Sequence, residues 1–320
     1  MKAVYYQEHG EPTVLQSGEL PDPEAKADEV LVQVAAAGVN PIDRRLRAGE
    51  LQEYIKREFP VVPGWDFSGR IVGLGSNVTD WKIGDEVVGL ACVPCIHHGT
   101  YAELIPVSAS AISHKPASMS FSEAAALPLV SLTAWQALSE FAELSAGQSV
   151  LVQAGAGGVG SVAIPMAKYL GAKVYTTCSS GNMDYVRALG ADIIIDYTSV
   201  DYVKEIAQLE PTGLDMVLES ILSDECIESA IYLTKSGGTV AYLNNEPPEM
   251  TEIAEKNIKT AFIHHRPDGY SLGEIMKLYE SGVFKIPNIH EMLLSDAAEA
   301  HRISEKGRTR GKVVLRVQEI

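Results

Sequence analysis

The sequence predicts an α/β chain: a doubly wound parallel sheet joined to a smaller, mostly antiparallel and barrel-like β module. Two observations carry this. From Ser149 onward, short β-prone runs alternate with helical stretches at a spacing of about 20 residues, as βα units require. A glycine-rich hexapeptide, Gly155-Ala156-Gly157-Gly158-Val159-Gly160, stands between the first such run and the first helix.

In the parallel half the β runs fall at 149–154, 172–177, 193–196, 214–219, 239–243 and 261–264. Helices are expected at 160–170, 182–189, 200–209 and 224–233. Gly171, Gly190, Gly213 and Gly237-Gly238 stand where helices should stop or turns begin. Strict β/α alternation predicts helices on both faces of a parallel sheet. Pro165 is a local conflict, because it removes a helical hydrogen bond and should bend the axis.

The first ~115 residues read differently. Strand-like pieces at 29–36, 69–74, 86–90 and 101–105 are separated by the turns Glu11-Pro12, Pro21-Asp22-Pro23, Pro63-Gly64 and Lys82-Ile83-Gly84-Asp85. Residues 120–146 read as helical with a break at Leu127-Pro128. A helix at 272–281 and a closing strand at 311–317 should return to the first domain. The expected domains are therefore 1–118 with 265–320, and 119–264.

Composition narrows the function classes. An apolar content of 46% suits a globular chain with a large core. A net charge of −16 repels nucleic acid and anionic membranes, so the expected partner is a small molecule. No apolar run approaches the ~20 residues of a membrane span. Met1-Lys2-Ala3-Val4-Tyr5-Tyr6 opens directly into strand-like sequence, so a cytoplasmic setting is expected. Four cysteines, Cys92, Cys95, Cys178 and Cys226, are too few for a disulfide scaffold and read as reduced thiols.

The hexapeptide fits G-x-G-x-x-G, and its strand–turn–helix setting is the one that cradles a dinucleotide pyrophosphate. Glycine lets the backbone turn sharply and approach the phosphates, while the helix N-terminus offers free N–H groups and a positive dipole end. An NAD site carries an acid at the end of the second strand. Here Tyr175 to Asn182 contains none, and Ser179, Ser180 and Asn182 can donate to a 2′-phosphate. NADPH is therefore the expected cofactor, although no Lys or Arg stands in that stretch and Arg187 lies further along the next helix.

Several further segments join the glycine turn: Ala36-Ala37-Gly38-Val39-Asn40-Pro41-Ile42-Asp43, Pro63-Gly64-Trp65-Asp66-Phe67-Ser68-Gly69, Gly84-Asp85-Glu86-Val87, Ala124-Ala125-Ala126-Leu127-Pro128, Leu132-Thr133-Ala134-Trp135, Ala188-Leu189-Gly190-Ala191-Asp192 and Gly307-Arg308-Thr309-Arg310-Gly311-Lys312. With them the chain resembles, over essentially its whole length, a medium-chain dehydrogenase/reductase of the zinc-independent NADPH:quinone oxidoreductase (zeta-crystallin-like) branch. The resemblance implies a Rossmann doubly wound sheet plus a GroES-like β-barrel domain, an active site in the cleft between them, and a homodimer or homotetramer. Zinc-dependent relatives have Cys where this chain has Asn40 and His-Glu where it has Trp65-Asp66, so no metal is expected. Cys92-x-x-Cys95 with His97 and His98 has metal-like spacing, but the longer four-cysteine lobe of the family is missing.

The implied chemistry is conjugate reduction of a quinone or α,β-unsaturated carbonyl, with donors meeting the charge on the substrate oxygen. The resemblance places Asn40 in the cleft as the contact to the carbonyl or nicotinamide, with Asp43 orienting its neighbours. Arg44-Arg45 replaces a tyrosine that the family often carries, which makes Arg45 a candidate substrate contact. Carried-over cofactor positions are Thr133, Tyr197, Ser220, Leu243, Asn244 and the run Phe262, Ile263 and His264 beside the nicotinamide, with Arg308 and Arg310 toward the 2′-phosphate. His264-His265 is a candidate proton source. The competing readings are a nucleotide-binding protein with little turnover, like the lens crystallins of the family, and an alcohol dehydrogenase.

Overall fold

The computed structural model describes residues 1–92 and 95–320, with Cys95 and Ile96 followed through their backbone alone. The chain begins with β1 (Lys2–Tyr5), β2 (Gln16–Glu19), β3 (Glu29–Val39), α1 (Pro41–Ala48), β4 (Lys56–Arg57) and β5 (Asp66–Leu74). Next come β6 (Glu86–Leu90), β7 (Cys95–Ile96), β8 (Leu104–Ser108), β9 (Ile112–His114), α2 (Phe121–Ala125) and α3 (Pro128–Trp135). The alternating part follows: β10 (Ser149–Val152), α4 (Gly158–Tyr169), β11 (Lys173–Cys178), α5 (Met183–Leu189), β12 (Ile193–Asp196), α6 (Tyr202–Leu209), β13 (Leu214–Glu219), α7 (Asp224–Leu233) and β14 (Thr234–Tyr242). The chain closes with α8 (Thr251–Glu255), β15 (Lys259–Phe262), α9 (Gly269–Glu280), β16 (Ile289–Leu293), α10 (Ala297–Glu305) and β17 (Lys312–Arg316).

Two compact units divide these elements. The first holds residues 1–132, 266–282 and 286–320, and the second holds 133–265 and 283–285. Residues 119–132 thus belong to the first unit, and the C-terminal strand β17 does join it.

In the first unit the long strand β3 organises the sheet. It pairs antiparallel with β5 along one edge. Its other edge pairs with β8 in the first half and β17 in the second. The path continues β5-β6-β9 on one side and β17-β16 on the other, and only β16–β17 is parallel. Val30, Val32 and Val34 are fully buried at every second position, the period of a strand with one face in the core. They pack with Phe67, Ile71, Val87 and Ile105.

The second unit is a six-stranded parallel sheet in the order β12-β11-β10-β13-β14-β15. Its central strand β10, Ser149-Val150-Leu151-Val152, is buried at all four residues, as a sheet covered on both faces demands. The order reverses direction at the β10/β13 pair, which makes the end of β10 the topological switch point.

Several expectations shift. α4 begins at Gly158 and runs through Pro165 to Tyr169. Residues Gly160 to Ala167 of α4 are all buried, and that packing outweighs the missing N–H of the proline. The strand expected at 101–105 lies at Leu104–Ser108, because Tyr101 and Ala102 face the core through a bridge between Ala3 and Ala102. The break at Leu127-Pro128 is real: α2 ends at Ala125 and Pro128 opens α3, where a missing N–H costs nothing. The strand-like opening is β1, whereas sequence periodicity did not reveal α1, α8, α10, β2, β9 or β16.

Candidate functional site

Two polar constellations stand out, one in each unit. In the second unit, the cofactor candidates gather along the C-terminal ends of the parallel strands. Across the sheet these ends carry Tyr197 after β12, Ser179 after β11, the glycine turn after β10, Ser220 after β13, Leu243-Asn244 after β14, and Phe262 with Ile263 and His264 at β15. Open parallel sheets bind ligands along this edge.

The turn is tightly made. Ala154 adopts a left-handed φ of 50°, costly for a residue with a Cβ, and its carbonyl accepts the Gly157 N–H at 2.9 Å. The Gly155 N–H donates to the Thr177 carbonyl and the Ala154 N–H to the Thr177 hydroxyl, which sews the turn to β11. A Cβ on Gly155 would lie 2.0 Å from the Thr176 hydroxyl oxygen, and one on Gly160 would lie 2.4 Å from the Ala154 carbonyl. Gly157 is the N-cap of α4, so the N–H groups of Gly158, Val159 and Gly160 start the helix without an acceptor one turn back. Gly157, Gly158 and Val159 form the partly exposed rim of this cradle, and Ala156 is buried beneath it. It fits a dinucleotide diphosphate: backbone donors, no side chain in the way, and a positive helix end.

The neighbouring candidates are held by one another. The Asn182 amide donates to the Ser179 hydroxyl at 3.2 Å, and Ser180 is exposed in the same short turn. Asp196, at the end of β12, draws on the Ser180 N–H as well as on Thr198, and these hydrogen bonds hold its carboxyl below the usual range. Arg187 is paired with Asp184. The Ser220 hydroxyl donates to the Gln153 carbonyl and the Asn244 amide to the Ser220 carbonyl, so the ends of β10, β13 and β14 are tied. Glu219, at the end of β13, is fully buried with no cation beside it among the described residues, and burial raises its carboxyl to about 7. Thr133 is buried, whereas Tyr197 is half-exposed. His264 is exposed beside Glu246 and stacks edge-on to Phe262. Arg308 and Arg310 belong to the first unit, in the exposed loop between α10 and β17.

The first unit holds the second constellation, where the adjacent strand ends of β17, β3 and β5 converge. Asn40 follows β3 and caps α1, Asp66 opens β5, and Lys312 opens β17. All three are buried, at 1%, 0% and 3% exposure. The Lys312 ammonium donates to the Asn40 Oδ1 at 2.5 Å, to the Asp66 Oδ2 at 3.2 Å and to the Val39 carbonyl at 3.3 Å. The Asn40 Nδ2 donates to the same Asp66 Oδ2 at 2.8 Å. The other oxygen of Asp66 accepts the Leu129 N–H at 2.7 Å, at the positive N-terminal end of α3. Gly38 makes room for this carboxylate, since a Cβ there would come within 2.9 Å of Asp66 Oδ2.

Asp43 sits one helical turn along. Its Oδ2 accepts the Asn40 backbone N–H at 2.8 Å, a helix-capping bond, and the Tyr101 hydroxyl at 3.4 Å. Burial, with the Asp66 charge nearby, pushes the Asp43 carboxyl up to about 7. Asp43 is thus in place to orient Asn40. Arg45 spends its guanidinium on Glu50 at 3.0 Å. Cys92 is half-buried, and that burial pushes its thiol up to about 11; the Cys95 thiol lies outside the described residues.

A zinc ion needs thiolate, imidazole or carboxylate donors. Asn40 and Trp65 offer none, and the one carboxylate, Asp66, already carries the Lys312 ammonium. These residues do not fit a zinc site. Lys312 and Asp66 are the functional candidates that sequence reasoning missed as a pair. The available signal was a lysine heading the fully apolar run Val313-Val314-Leu315, where an unpaired charge is not tolerated.

The family profile described as "Alcohol dehydrogenase GroES-like domain" matches residues 26–117, and "Zinc-binding dehydrogenase" matches 189–315. The chain is 35% identical over 326 residues to the 2-methylene-furan-3-one reductase of Solanum lycopersicum, covering 98% of this chain and 79% of that protein. It is 34% identical to the chloroplastic NADPH-dependent alkenal/one oxidoreductase of Arabidopsis thaliana, again over 98% and 79%. Among solved structures, the quinone oxidoreductase of Coxiella burnetii superposes with a TM-score of 0.89 at 34% identity, covering 99% of both chains. Glycine cradle, strand-end array and these similarities agree, and the chain belongs to the medium-chain dehydrogenase/reductase superfamily, in the company of its quinone and alkenal/one oxidoreductases.

Proposed function

We propose that the protein is an NADPH-dependent reductase of quinones or α,β-unsaturated carbonyls that works without zinc. The observation that carries this is the Asn40 carboxamide, bound to Asp66 and Lys312, standing where zinc-dependent relatives keep a metal-ligating cysteine. A carboxamide held between a cation and a carboxylate can meet charge on a substrate oxygen, but it cannot hold the Lewis acid of an alcohol dehydrogenase.

The backbone from Gly155 to Gly160 would hold the diphosphate. Ser179, Ser180 and Asn182 would face the 2′-phosphate, with Tyr197, Ser220, Leu243, Asn244 and the run Phe262 to His264 along the same strand edge, and Thr133 of α3 toward the cofactor. Arg308 and Arg310 remain candidates for that phosphate. NADPH held along this edge would supply the hydride for the electron-poor carbon of the substrate. The displaced electron pair appears on the substrate oxygen, where Asn40 donates, and a proton from water completes the saturated carbonyl or the hydroquinone. Asp43 fixes the backbone of Asn40, and Arg45, paired with Glu50, remains a candidate substrate contact. A cytoplasmic homodimer or homotetramer, without nucleic-acid or membrane partners, belongs to the same reading. The oligomer rests on the family resemblance alone, the cytoplasmic setting on the strand-like N-terminus and reduced thiols, and the exclusion of nucleic-acid and membrane partners on the acidic composition.

The test is NADPH consumption with a panel of quinones and enones, with product analysis and metal content of the purified protein. Saturation of the C=C bond or quinone reduction, with no stoichiometric metal, is the expected result. Tight NADPH binding with no turnover across the panel would instead identify a nucleotide-binding protein. Alcohol-driven NADP reduction with bound zinc would identify an alcohol dehydrogenase.

A further inference from the structure

We infer that Lys312 is a positioning residue of the reduction: with Asp66 it sets the Asn40 carboxamide in one orientation, leaves a single amide N–H for the substrate oxygen, and stations a permanent positive charge behind that donor. The inference rests on the reductase reading above and adds to it a residue and a role.

An ammonium only donates hydrogen bonds and a carboxylate only accepts them. Asn40 lies between the two, so its oxygen must face Lys312 and its nitrogen must face Asp66. The observed contacts, 2.5 Å from Nζ to Oδ1 and 2.8 Å from Nδ2 to Oδ2, follow that rule. Turning the amide over would set NH₂ against NH₃⁺ and a carbonyl against a carboxylate, losing two charge-assisted bonds together. Lys312 itself cannot swing away. Its three donors reach the Asn40, Asp66 and Val39 oxygens, and it is 3% exposed.

Asn40 is then left with one uncommitted N–H among the described residues. A donor preset before charge develops costs no reorganisation when the charge appears. The ammonium bound to the carbonyl of the same amide draws electron density from it, so that the remaining N–H is a stronger donor. Asp66 has a second task, since its charge neutralises Lys312 and keeps the ammonium in a buried place.

The experiment compares wild type with Lys312→Arg, Lys312→Gln, the charge-free pair Asp66→Asn/Lys312→Met, Asn40→Ala, and Asn40→Ala/Lys312→Gln. A simple alkyl vinyl ketone is the substrate, and NADPH affinity and thermal melting are measured in parallel. The charge-free pair is expected to fold and to bind NADPH as wild type does, while kcat falls by roughly 100-fold with little change in KM. Lys312→Arg should recover part of that kcat, and Lys312→Gln should cost nothing further once Asn40 is alanine, because the lysine acts through the amide. Should the charge-free pair fail to fold, Arg against Gln at 312 decides, and equal losses in both overturn the inference. A folded, NADPH-binding charge-free pair that keeps kcat within about twofold of wild type also overturns it. A wild-type protein that reduces no enone or quinone would bring down the reductase reading itself, a distinct outcome.

Discussion

The glycine turn of the second unit and the Asn40–Asp66–Lys312 cluster of the first both handle charge, but they are made of different material. The turn works through backbone. Its donors are N–H groups at the start of α4, and its side chains matter by being absent. The cluster works through side chains contributed by three strand ends, 26 residues apart for Asn40 and Asp66 and 272 for Asn40 and Lys312. A backbone site fails when atoms are added, whereas a side-chain cluster fails when one member is taken away and the rest stay charged.

The largest effect should come from taking one charge out of the cluster. Asp66→Ala leaves the buried Lys312 ammonium without its counter-ion and the Leu129 N–H without its acceptor. A loss of about 3–5 kcal/mol is expected, enough to lower the melting temperature of the first unit sharply. Adding Lys312→Met to that variant should restore much of it. Differential scanning calorimetry of the two proteins checks this, and a double variant no more stable than the single one would show that the ion pair is not what the cluster depends on.

This contrast also explains how much was legible beforehand. The parallel sheet could be read because βα units announce themselves locally: apolar runs, helix stops at glycines, and a glycine turn in its proper setting. Ser220 and Asn244 could be placed at strand ends by the same counting. Lys312 could not be assigned to Asn40, because nothing local says that β17 pairs with β3 and starts beside it. Asp66 was visible as a residue but not as the partner of a lysine near the far end of the chain. The helix α1 was missed for a similar reason. Its eight residues, with Arg44, Arg45 and Arg47 among them, show too little apolar face, and it is held by its Asn40–Asp43 cap, by Gly49 at φ 86° and by an ion pair from the buried Arg47 to Glu305.

The second unit offers the complementary case of a buried carboxyl with no cation. Asp66 meets an ammonium, while Glu219 meets, among the described residues, only the Ile221 N–H, and burial raises it to about 7. A carboxyl raised in the folded state favours the protonated form, so its contribution to stability is complete below the unfolded value near 4.5 and is lost as pH rises through about 7. Asp43 adds a slope of the same sign in the first unit. His301, buried and lowered to about 3, works the other way, so that its contribution is lost as pH falls below about 6.5. Glu219→Gln should therefore remove up to about 3 kcal/mol of the decline between pH 5 and 8 and leave the acid limb to His301. Melting curves across that range test it, and an unchanged slope in the variant would mean that Glu219 is ionised in the folded protein at neutral pH.

Adding atoms to the backbone site should give the smallest of these effects, and a graded one. A Cβ at Gly160 meets Ala154 O at 2.4 Å and Gly155 Cα at 2.6 Å, both backbone atoms of the turn itself. Neither can turn aside as a side chain would, so the turn must open, and overpacking of this kind costs about 1–3 kcal/mol. A Cβ at Gly157 finds only the Ala154 carbonyl, at 3.2 Å, a contact relieved by a few tenths of an ångström. Gly160→Ala is thus expected to weaken NADPH binding by roughly 10- to 100-fold, and Gly157→Ala by less than about 10-fold. The order of the two carries the argument, because it follows from turn geometry alone and not from the count of glycines in the motif. Fluorescence titration with NADPH measures both. Equal losses would mean that the cofactor itself needs the space at 157, making that glycine a contact with the diphosphate and not merely a joint in the turn.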